Sequence, residues 1–82
     1  MPVVSDSEIK KIKETIYVEV GNSIKKVRLE KGYTQVQLSQ MILSDRQYMY
    51  KIESGKVGLT LAKLMLIAKA LEIPAAELLP KD

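Results

Sequence analysis

The stretch GYTQVQLSQMILSDRQYMYKIESGK, Gly32 to Lys56, decides the fold. Thr34-x-x-Gln37 has the form of a capping box and predicts a short helix carrying Leu38, Met41 and Ile42. After a turn of about four residues a second short helix follows, capped by Asp45, or by Ser44 paired with Gln47, and stopped at Ser54-Gly55. Met49 and Ile52, three apart, predict a face turned to the core. Arg46, Gln47, Tyr50 and Lys51 are then left facing outward, a crowd of long polar side chains on a very short helix.

Working outward from this pair, every strong pattern has helical period. Upstream, Ser5-Asp6-Ser7-Glu8 is another capping box, followed by Ile9, Ile12, Ile16 and Val20, and then Ile24, Val27 and Leu29. The β-branched run ending in Gly21 admits a break, so the segment reads as one long helix or two abutting ones, stopped at Lys31-Gly32. Downstream, Thr60 caps a helix with Leu61, Leu64, Ile67, Ala68 and Leu71 on its buried face. Pro74 suits the first position of a last short helix, Ala75 to Leu79. The chain is expected to be all-α, a five-helix bundle with short connections and an N-terminal helical extension. The boundary falls between residues 1–17, the extension, and 18–82, within one compact domain.

Composition narrows the function. The 82 residues are 46% hydrophobic and 28% charged, values of an ordinary globular domain with room for one modest core. There is no Cys and no His, which removes thiol chemistry, the usual general base and the commonest transition-metal ligand. With no phosphate-cradling loop either, no enzyme, metal or cofactor is expected. No apolar run approaches the roughly 20 residues of a membrane span, and MPVVSDSEIKK is not a signal peptide, so the expected address is cytoplasmic. The net charge of +3 is modest, but it is concentrated: Ile24 to Lys63 holds eight Lys/Arg against three Asp/Glu.

Two short helices joined by a tight turn inside such a domain are the outline of a helix-turn-helix. A helix fits the DNA major groove when it is supported from behind, the part Met49 and Ile52 would play. Arg bonds guanine O6 and N7 in a fork, and Gln does the same to adenine N6 and N7. Lys51 reaches a guanine or a phosphate, and Tyr48 and Tyr50 offer hydroxyls to phosphates or rings to a thymine methyl.

These residues, with Gly21-x-x-Ile24, Arg28, Gly32-x-Thr34-Gln35-x-x-Leu38, Ile52-Glu53-x-Gly55-Lys56 and Ile67-Ala68-x-Ala70-Leu71, resemble the Cro/lambda-repressor (XRE) family of helix-turn-helix domains over residues 20–79. The resemblance implies base reading by Arg46, Gln47, Tyr50 and Lys51. It implies phosphate contacts from Thr34 and Gln35 and a backbone-contacting loop at Lys56; Tyr48 joins that backbone group. Arg28 and Glu53 match a pair tying the first helix to the third. The Asp45–Tyr48 and Ile24–Arg28 runs look like restriction–modification controller proteins, which are dimers. The implied function is a homodimeric regulator that binds double-stranded DNA at a two-fold operator.

Other roles compete at several positions. Lys25, Lys26 and Lys31 read as a solvated helix face, Tyr48 as a half-buried packing residue, and Ile9, Ile12 and Ile16 as core or dimer surface. Leu43 stands where the family has Gly and Ser44 where it has an apolar residue. An αL turn there would carry a penalty of order 1 kcal/mol, so a lengthened or reshaped turn, with a changed angle for the third helix, is the expectation. That departure, with the Met/Tyr-rich third helix, supports the alternative of a protein-interaction module on the same fold, such as an antitoxin-like partner-binding protein.

Overall fold

The computed structural model describes residues 3–80. Four α-helices follow one another: α1 Asp6–Glu30, α2 Gln35–Met41, α3 Arg46–Glu53 and α4 Leu61–Leu71. The fifth element, Ala75–Leu78, is a single 3-10 turn rather than an α-helix, with Pro74 preceding it as the cap. Its bonds are i→i+3, from the Glu77 N–H to the Pro74 carbonyl at 3.0 Å and from the Leu79 N–H to the Ala76 carbonyl at 3.3 Å.

Helix starts follow the expected chemistry. Ser5 and Glu8 cap α1 reciprocally, as do Thr34 and Gln37 for α2. In α2 the Gln37 N–H donates to Thr34 Oγ1 at 3.0 Å while Gln37 Oε1 accepts from the Thr34 N–H at 2.8 Å. Asp45, not Ser44, caps α3, accepting from the Tyr48 N–H at 2.7 Å. Thr60 caps α4 through the Lys63 N–H.

The four α-helices also end alike. Each is followed by a residue in the left-handed region, Gly32 (φ 80°), Leu43 (φ 54°), Gly55 (φ 73°) and Glu72 (φ 58°). In each case the next N–H turns back to a carbonyl five residues earlier: Tyr33 to Arg28, Ser44 to Ser39, Lys56 to Lys51 and Ile73 to Ala68. This is the Schellman closure, which satisfies otherwise orphaned carbonyls. Glycine fills two of these positions without cost; Leu43 and Glu72 hold the same backbone at a penalty.

No break occurs at Gly21. α1 runs through it without interruption, and the glycine marks where α1 crosses α3. A Cβ there would meet the Ile52 carbonyl oxygen and lie 2.8 Å from the Glu53 carbonyl oxygen. The residue is a glycine because two backbones touch. The loop after α3 approaches the same helix: a Cβ on Gly58 would lie 2.6 Å from the Tyr17 ring.

The core is built from Val20 and Ile24 of α1, Leu38, Ile42, Met49, Ile52, Leu64, Ile67, Ala68, Leu71 and Leu78. Three expectations about it need correction. Leu61 is 73% exposed, because the first residue of α4 sits at the rim of the body. Leu29 is exposed, lying off the Ile24–Val27 face. Met41, at the end of α2, is also exposed, leaving Ile42 to bury that end of the helix. Ile9, Ile12 and Ile16 lie outside the core: every residue from Val3 to Ile16 is exposed, and α1 reaches beyond the body to give a long axis of 45 Å.

Candidate nucleic-acid interface

α3 is held from behind and free in front. Met49, Ile52 and Glu53 are buried, and the helical period then sets Arg46, Gln47, Tyr50 and Lys51 on the opposite face, all exposed. Arg46 and Tyr50, and Gln47 and Lys51, are i,i+4 neighbours, so the four side chains form two adjoining rows. The outward face carries two cations and two hydrogen-bonding groups.

One carboxylate locks the helix in place. Glu53 accepts from Arg28 Nε at 2.7 Å on Oε2 and from Arg28 Nη2 at 3.0 Å on Oε1. Arg28 spends Nη1 on the Tyr33 carbonyl at 2.7 Å, and Gln35 Nε2 donates to Glu53 Oε1 at 3.1 Å. α1, α2 and α3 therefore meet at Glu53, in a buried, fully hydrogen-bonded fork of the kind that is costly to break on one side.

The remaining residues singled out from the sequence fall into two groups. Lys56, just past α3, lies with its Nζ 5.2 Å from the centroid of the Tyr50 ring, so loop and helix share one surface. Thr34 is exposed at the start of α2, its hydroxyl engaged as the cap. Gln35 is half-buried, its amide turned to Glu53. Tyr48 is half-buried against the core, with Lys63 Nζ 5.5 Å from its ring centroid, so its environment differs from that of Tyr50.

Lys25 belongs to this surface too, although its sequence context suggested only a solvated face. It borders a small crevice together with Gln35, Tyr50, Glu53 and Ser54. Gly21 and Arg28 flank it at helical spacing on the side of α1 that meets α3, a relation that appears only once α3 is in place. The Leu43–Ser44 turn is closed normally despite its residues, and it leaves Leu43 95% exposed just before α3.

A supported short helix with a polar, cationic outer face, preceded across a tight turn by a second helix, defines a helix-turn-helix domain. Residues 24–78 match the helix-turn-helix family HTH_3, and the chain belongs to that family. No curated protein matches the chain by sequence. Among solved structures it is similar to the restriction-modification controller protein C.AhdI from Aeromonas hydrophila, with 31% identity and a TM-score of 0.73 over 76% of this chain and 94% of that one. It is also similar to the restriction-modification controller protein C.Esp1396I, crystallised as a tetramer with its natural 35-base-pair operator. There the identity is 40% and the TM-score 0.69, over 76% of this chain and 82% of that one. The hypothetical transcription factor NHTF from Neisseria shares the fold over 98% of this chain and 85% of its own, at 21% identity and a TM-score of 0.76. None of the helices is long and apolar enough among the described residues to cross a membrane.

Proposed function

We propose that the protein is a homodimeric, sequence-specific DNA-binding regulator of transcription that reads a two-fold operator with α3. The observation that carries this reading is the division of α3 into a buried anchor, Met49, Ile52 and Glu53, and an exposed face of Arg46, Gln47, Tyr50 and Lys51. Membership of the helix-turn-helix family and the likeness to controller proteins, one of them crystallised on its operator, support it. A dimer follows from information content: one eight-residue helix reads few base pairs, and two half-sites about 34 Å apart supply the rest.

In this reading Arg46 and Gln47 form forked contacts to guanine and adenine, and Tyr50 and Lys51 extend the footprint by one turn. Thr34, Lys56 and Lys25 hold the phosphates on either side, and Tyr48 contributes its hydroxyl at the edge. Gln35 stands between two duties, since its amide already braces Glu53. Arg28 and Glu53 position the helix and touch no DNA. The protein works without catalysis, by occupying operator DNA in the cytoplasm. Residues 1–17 form an extension on the 18–82 domain.

Selection of bound sequences from a random duplex pool, with the enriched sites re-measured over a salt series, tests the reading. A two-fold-symmetric motif whose affinity falls steeply with salt is expected. Exposed Leu43, with exposed Val36 and Met41 on the neighbouring helix, favours the second reading, a protein-interaction module. Failure to enrich any motif would transfer the weight to it.

A further inference from the structure

Every residue in the first three turns of α1 is exposed, yet these turns are amphipathic. Ile9, Ile12 and Ile16 form an exposed stripe at helical spacing, and Val3 and Val4, also exposed, precede it. The stripe runs on into Val20, and from there the same side of α1 lies on the body of the domain. Where the arm leaves the body, Ile16 and Tyr17 face Leu59, Leu61 and Leu79 across an apolar groove of about 250 Å³. Arm and body thus form an open corner with two apolar walls. A helix as short as this arm gains little from propensity alone and is normally held by packing. A contiguous exposed apolar surface of this kind marks an interaction site.

We propose that the corner is filled by the arm of a second copy of this chain, the two arms clasped antiparallel about a two-fold axis. This deepens, and rests on, the dimer reading above. Orientation follows from sterics. Because the body occupies the stripe side of α1 from Val20 onward, two parallel arms in register would drive the two bodies into each other. Antiparallel arms put the bodies at opposite ends. Spacing then sets the register: Ile9, Ile12 and Ile16 recur as a, d and a of a heptad, so Ile9 meets the partner's Ile12. In that register Val4 reaches the partner's Ile16 at the mouth of the groove.

Charge selects a copy of the same chain as the occupant. Asp6 and Lys13 are seven residues apart and share one flank of the stripe. Antiparallel pairing sets Asp6 of each arm near the partner's Lys13, giving two symmetric ion pairs. An isologous contact of this kind closes on itself and stops at two copies.

The absence of cysteine from the chain makes the test direct. Val4→Cys and Ile16→Cys, both at exposed positions, are made as separate full-length proteins, mixed and mildly oxidised. The mixture should give a disulfide-linked heterodimer, and neither variant alone should cross-link. In parallel, Ile12→Asp should raise the dimer dissociation constant, read by sedimentation equilibrium, by at least about tenfold. Cross-linking within a single variant would mean parallel arms and overturn the proposal. So would a dimer that forms no cross-link in the mixture, or one whose dissociation constant is indifferent to Ile12→Asp; either would leave the dimer reading standing. A chain that sediments as a monomer even on its selected DNA would defeat the dimer reading itself.

Discussion

Arg28 and Glu53, separated by 25 positions, meet as a buried fork, with Nε on Oε2 at 2.7 Å and Nη2 on Oε1 at 3.0 Å. Neither charge has solvent to fall back on, so each depends on the other. Glu53→Ala should cost about 3–5 kcal/mol, because it strands the guanidinium inside the protein and frees Gln35 as well. Urea unfolding measures the loss. A cost below 1 kcal/mol would mean that the fork is not buried in solution.

Gly21→Ala makes a counterintuitive test. On an exposed helix the change would stabilise by about 1 kcal/mol. Here the added methyl meets the Ile52 and Glu53 carbonyl oxygens, backbone atoms that cannot swing aside. A net loss of roughly 1–3 kcal/mol is expected, read as a lower urea midpoint.

Leu43→Gly should act in the opposite direction. The left-handed turn at φ 54° is kept, the Cβ penalty is removed, and no buried contact is lost, since Leu43 is 95% exposed. After the entropy cost of glycine in the unfolded chain, a gain of about 0.5 kcal/mol remains, a few degrees in melting temperature. A lowered melting temperature would show that Leu43 makes contacts in solution that the isolated chain lacks.

On DNA, Arg46→Ala and Lys56→Ala should fail differently. Losing Arg46 should cost roughly 1–3 kcal/mol on the preferred site and relax the choice of base there. Losing Lys56 should weaken all sequences alike and reduce the salt slope by about one. Competition titrations at several salt concentrations separate the two. If Arg46→Ala leaves base preference intact, α3 is not the reading helix.

Helix positions were legible in the sequence because caps are local chemistry. Ser5, Thr34, Asp45 and Thr60 announce their helices through side chains that reach only three residues ahead. The inner and outer faces of α3 followed from the spacing of Met49 and Ile52. What resisted reading depends on contacts between distant segments. Gly21 looks like a helix breaker until Ile52 and Glu53 are brought against it. Leu61 fits the apolar period of α4, but period alone does not say where the body ends. Lys25 resembles Lys26 in the sequence and parts from it only when Tyr50 and Gln35 arrive beside it. The arm stripe was visible as periodicity, while its lack of an internal partner was not.

The meeting of three helices at Glu53 has a mechanical consequence. α3, the helix proposed to read the bases, is clamped to α1 and α2 at its C-terminal end and anchored on the core by Met49 and Ile52, which restrains it from pivoting into an imperfect groove. Adjustment to a site of the wrong pitch or half-site spacing then falls to the duplex, which must twist or bend at an elastic cost that depends on its own sequence. Base pairs that no side chain touches would then help to choose the operator, through their stiffness.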